Sequence, residues 1–117
     1  MTAPDPRNCS AVLFRLKEPL ASQLTDGLRR AGWRVHPHGM PDAQIVLCGI
    51  EPGALLDARS RFPGVPIVVV SLFPQIGDWL DALDAGAADY CAPPFEPVHL
   101  RWLLDGHRRP QRVRTVA

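Results

Sequence analysis

The stretch that most narrows what this chain can fold into is Leu83 to Phe95, LDAGAADYCAPPF. A helix running up to Ala85 meets Gly86, and glycine is favoured in the left-handed cap just past a helix end. Asp89, Tyr90 and Cys91 then read as a short strand. Pro93-Pro94 makes a rigid turn, and a new helix opens near Glu96-Pro97, where the fixed φ of proline suits a first turn.

The remainder of the chain repeats this alternation. Ala11 to Leu16 reads as a first strand. Pro19 opens a helix whose Leu20, Leu24, Leu28 and Ala31 fall on one face at three- and four-residue steps, and Gly32 ends it. Trp33 to His36 is a second strand, Ile45 to Cys48 a third, and Gly53 to Arg61 a short helix entered through Pro52-Gly53. Pro66 to Ser71 is a fourth strand, apolar almost throughout, as a parallel strand covered on both faces should be. Ile76 to Ala85 supplies the next helix, Asp89 to Cys91 the fifth strand, and Pro97 to about His107 the last helix. There Leu100, Leu103, Leu104 and His107 share one side. Strands alternating with helices predict an α/β three-layer sandwich on a five-stranded parallel sheet, with flavodoxin-like order 2-1-3-4-5. The working edge of such a sheet lies at the carboxyl ends of its strands.

One crossover is too short for the usual helix. Only Pro37 to Gln44 joins the second strand to the third. The path back along one strand and sideways past its neighbour is roughly 18 Å. Eight extended residues reach roughly 26 Å, and Pro37 and Pro41 favour extended backbone. The second helix is therefore expected to be replaced by a loop, leaving part of one sheet face thinly covered. Arg15 and Arg34, read as lying inside the first two strands, fit such an open face, since a charge is costly in a strand buried on both sides. Heads snorkelling to the rim explain them equally well.

Composition sets the outer limits. The 117 residues have room for one domain with a real core. It is read as residues 11–107, between a polar lead-in at 1–10 and a basic tail at 108–117 carrying Arg108, Arg109, Arg112 and Arg114. A formal net charge of +1 gives no global pull toward nucleic acid or membrane. The apolar run around Ile67 to Val70 is far too short to cross a bilayer, and the amino-terminal residues lack the apolar core of an export signal. Cys9, Cys48 and Cys91 have neither metal-ligand spacing nor the even count of a disulfide framework. A cytoplasmic location is the default, with no cofactor expected. His36 and His38 alternate without a third ligand, so no metal site is expected either.

The Gly86–Phe95 arrangement, with Ala85-Gly86-Ala87-Ala88-Asp89-Tyr90 and Pro93-Pro94-Phe95, resembles the end of the CheY-like receiver domain of bacterial response regulators, which reads roughly AGADDYLxKPF. The resemblance spans Ala11 to about His107. It implies two-component (phosphorelay) signal transduction, in which a receiver moves a phosphoryl group onto an aspartate with the help of Mg²⁺. That chemistry needs a carboxylate nucleophile, an acidic pair for the metal and a lysine for the phosphoryl oxygens. By the resemblance, the acceptor position is Cys48, the acidic-pair positions are Leu16 and Lys17, and the lysine position is Pro93. All four groups are missing. Ser71 and Tyr90 match the family's switch pair, Ser71 read as capping a loop and Tyr90 as a half-buried ring with its hydroxyl at the surface. Glu51 is read as the one acid near the site. The family also implies a cis Pro93–Pro94 bond.

The chain is thus expected to be a degenerate receiver, or pseudo-receiver, without enzymatic activity. It would act on a protein partner or as a homodimer through the helix 76–85, strand 89–91, helix 97–107 face, which the family knows as helix 4–strand 5–helix 5. That face would carry Trp79, Tyr90, Arg101 and Trp102, residue types that anchor interfaces. Two other readings stand beside it. One is kinship with antiterminator regulators, whose pseudo-receivers precede an RNA-binding region. The other is a redox-sensing Cys48, its thiol acidified by Lys17, against a buried thiol that only fills space. Cys91 is expected about 10 Å from Cys48, too far for a disulfide.

Overall fold

The structure, a computed structural model, describes residues 10–36, 43–72 and 75–107. Residues 1–9 of the lead-in (Cys9 among them), the basic tail, His38 and most of the 37–44 link fall outside the described residues. Among the described residues five strands and four helices follow one another, alternating except that β3 comes directly after β2 in this order: β1 (Ser10–Phe14), α1 (Leu20–Arg30), β2 (Arg34–His36), β3 (Ile45–Cys48), α2 (Ala54–Arg61), β4 (Ile67–Val70), α3 (Ile76–Asp84), β5 (Asp89–Cys91) and α4 (Pro97–His107). The strands form one parallel sheet in the order β2-β1-β3-β4-β5, as expected from the alternation.

The period-2 geometry of the strands splits the core in two. Ala11, Ile45, Leu47, Val68 and Val70 meet Leu24, Leu28, Leu100 and Leu104 on the α1/α4 side. Val12, Val46, Cys48 and Ile67 meet Ala54, Ala58 and Phe62 of α2 and its exit on the other. β3 and β4 are buried along their whole length, which accounts for their unbroken apolar sequence. On the edge strand β2, Arg34 is exposed and His36 half-buried, while Val12 on the neighbouring strand is fully covered.

Glycine stops two helices in the same way. After α1, the amide of Trp33 donates to the carbonyl of Leu28 with Gly32 at φ 89°; after α3, Ala87 donates to Ala82 with Gly86 at φ 106°. Both are the six-to-one closure of a Schellman motif, which needs a left-handed residue. At the start of α1 the Glu18 carboxylate accepts from the Ser22 amide at 3.1 Å, meeting one of the unpaired donors there. The Pro93–Pro94 peptide is cis, as the resemblance implied, and so is Glu18–Pro19.

Candidate functional site

The carboxyl edge of the sheet gathers most of the residues singled out in the sequence. Cys48 ends β3, paired in register with Phe14 of β1 and Val69 of β4. Leu16 and Lys17 follow β1, Ser71 follows β4, Tyr90 lies within β5 and Pro93 just beyond it. Gly49 continues β3 past Cys48 and touches the end of β1: its amide donates to the Phe14 carbonyl at 3.1 Å, and a Cβ there would collide with the Arg15 carbonyl.

Arg15 corrects the first expectation. It stands outside β1, at φ 57°, a left-handed conformation that L-residues rarely adopt. The turn swings its half-exposed guanidinium onto the Asp57 carboxylate of α2, an ion pair, and over the Phe14 ring at 5.3 Å from its centre. Arg61 lies 5.8 Å over the same ring, and Phe62 meets it edge-on. Lys17 reaches Glu51 at 2.8 Å. That hydrogen bond and the adjacent charge hold the Glu51 carboxyl below the usual carboxylate range and raise the ammonium of Lys17. Two cations that follow β1 are therefore bound to two carboxylates that follow β3. Glu51 is not the one acid near the site, because the Asp57 carboxylate also acts on Cys48.

This donor set does not fit a divalent cation. Hard ions such as Mg²⁺ take oxygen ligands. Here Leu16 supplies none, Lys17 supplies positive charge, and both carboxylates are already turned to a cationic side chain.

Cys48 is fully buried, and its thiol donates to the Gly49 carbonyl at 3.2 Å. Burial pushes the thiol up to about 11, against the smaller opposing pull of Arg15. The acidification by Lys17 that the alternative redox reading requires is thus reversed: the ammonium faces Glu51, and loss of hydration dominates at the sulfur. Cys91, also free, lies on the opposite face among the α1/α4 core residues and is pushed up to about 12 by burial and then by Asp89.

Ser71 is buried, with its amide donating to the Cys91 carbonyl at 3.0 Å. Tyr90 is half-buried as expected, but its hydroxyl departs from expectation. Its ring turns inward on the α2/α3 side, and its hydroxyl is buried with no hydrogen-bond partner among the described residues. It therefore offers no hydroxyl to the outer face. The two tryptophans and Arg101 do face outward: Trp79 is 46% and Trp102 80% exposed. Sequence reasoning missed the neighbours that complete this surface. Ile76, Trp79, Leu80 and Leu83 make an exposed apolar stripe along α3 at helical spacing, and Val98 is exposed on α4. The spacing was legible; which way the stripe turned was not.

Solved structures with the same architecture are receiver domains. A response regulator from Thermotoga maritima superposes with a TM-score of 0.67 at 16% identity, over 84% of this chain and 95% of that one. The receiver domain of a sensor histidine kinase from Pseudomonas aeruginosa PAO1, with a magnesium ion coordinated in its active-site cleft, gives 0.66 at 20% identity, over 85% and 96%. A response regulator from Chloroflexus aurantiacus J-10-fl gives 0.66 at 22%, over 84% and 95%. The chain has the CheY-like receiver fold. No protein-family model matches the sequence, and no curated protein sequence does either. Among the described residues no helix is long and apolar enough to cross a membrane.

Proposed function

We propose that this chain is a pseudo-receiver: a response-regulator module of two-component signalling that works by protein–protein contact and takes no phosphoryl group. The observation that carries this reading is the pair of ion pairs, Lys17 with Glu51 and Arg15 with Asp57, on the edge where a phosphorylating receiver needs free carboxylates and a metal. A receiver phosphorylated on aspartate gains charge that must be neutralised by Mg²⁺ and lysine. With Cys48 at the acceptor position and Pro93 at the lysine position, neither the nucleophile nor its counter-charge is available.

Contact is assigned to the α3–β5–α4 face. Exposed large apolar side chains grouped on one face mark an interaction surface. Here Trp79, Leu80 and Trp102 supply the anchors, with Arg101 at the rim. The partner is a protein or a second copy of this chain. The experiment is capture of partners by the full chain, with light scattering for self-association, repeated on Leu80→Asp and Trp102→Ala. Loss of association in both variants supports the reading; association unchanged in both overturns this face as the contact.

A further inference from the structure

α3 has a second side, facing α2, that the proposed contact does not use. Between the two helices runs a groove of about 350 Å³. Val69, Ala82 and Tyr90 form its floor, and the buried hydroxyl of Tyr90 lacks a partner among the described residues. Leu55 lines one wall, and Ile50 and Leu56 continue the apolar surface outward, each more than half exposed. At the carbonyl end of α3, Arg59 donates from α2 to the Ala85 carbonyl at 2.8 Å and ties the helices together there.

The rim is acidic. Asp78 and Asp81 line the groove from α3 and make no ion pair among the described residues, whereas Glu51 at its mouth is held by Lys17. α3 carries no basic residue. On α2, Arg59 is turned to the Ala85 backbone carbonyl and not to either aspartate among the described residues.

We propose that this groove is a second docking site, which takes a basic amphipathic segment of a partner protein. An apolar side chain would fill the space above Val69 and Ala82, with lysine or arginine beside Asp78 and Asp81. Charge complementarity selects a basic occupant. The exposed Ile50 and Leu56 select a polypeptide over a small amine, because apolar surface beyond the groove mouth is left for a longer ligand to cover. The site is independent of the α3–β5–α4 contact and of the loss of phosphotransfer, so it stands or falls apart from them.

The test uses the full chain labelled with ¹⁵N and two short amphipathic helical peptides with the same leucine spacing, one bearing lysine and the other glutamate. The lysine peptide is expected to move the amides of Gly49, Leu56, Val69 and Ala82 in a saturable way, and the glutamate peptide to leave them in place. Asp78→Lys combined with Asp81→Lys, both on exposed positions, is expected to weaken the lysine peptide about tenfold, from two surface charge contacts. Trp102→Ala, on the other face, leaves its binding unchanged. Unmoved groove amides, equal binding of both peptides, full affinity in the charge-reversed variant, or shifts centred on Trp79 and Trp102 would each overturn the proposal.

Discussion

The ammonium of Lys17 lies 2.8 Å from the Glu51 carboxylate, joining the loop after β1 to the loop after β3. Both groups are exposed, so the contact matters for where charge sits more than for stability. The expected outcome is a Glu51 side-chain titration, followed by NMR, with its midpoint below that of an ordinary glutamate. In Lys17→Ala the midpoint moves back up toward the ordinary range. A midpoint indifferent to that substitution contradicts the pairing.

Burial of the two thiols makes stability sensitive to alkali. A thiol whose pKa is higher in the folded state than in the unfolded one stabilises the fold fully below the unfolded pKa, and that contribution is lost as pH rises through the folded value. For Cys48 the loss falls between about pH 9 and 11, and for Cys91 it extends to about 12. Urea midpoints are expected to hold steady through neutral pH and to fall across this window, less steeply in Cys48→Ala. At neutral pH a thiol probe should label Cys48 no faster than any buried cysteine. Fast labelling would revive the redox reading.

The glycines separate steric from conformational demand. Gly49→Ala sets a methyl against the Arg15 carbonyl, which is backbone and cannot step aside, and is expected to cost about 3 kcal/mol. Gly27→Ala meets the Phe95 carbonyl oxygen at 2.7 Å and is expected to cost about 2 kcal/mol despite the better helix former. Gly32→Ala meets nothing but must hold φ near 89°, for about 1 kcal/mol. Gly106→Ala, in open space on α4, should stabilise by about 0.5 kcal/mol. Chemical denaturation of the four variants checks the ranking.

The fold was legible in the sequence because its signals are local. Glycines 32 and 86 close helices, the apolar runs 45–48 and 67–70 are strands covered on both sides, and the 83–95 stretch fixes the last turn of the topology. The site was only partly legible. Arg15 reads as a strand residue by its apolar neighbours; its turn to Asp57 depends on a helix more than forty residues on. The direction of Tyr90 and of the α3 stripe depends on how helices lie over the sheet, which periodicity does not report. α3 buries only Ala82, so its large apolar residues were left for the outer face.

That stripe predicts a division between stability and association. Leu80→Asp and Trp102→Ala remove exposed side chains, and each should change unfolding free energy by less than about 0.5 kcal/mol. Both should nonetheless weaken binding on the α3–β5–α4 face. A large loss of stability in either would mean that the side chain is part of the core.

The most direct measurement is intact mass after incubation of the full chain with a small phosphodonor and Mg²⁺, beside an authentic receiver as positive control. The account predicts an unchanged mass for this chain while the control gains a phosphoryl group. An acid-labile phosphoryl adduct that depends on Mg²⁺ would contradict it.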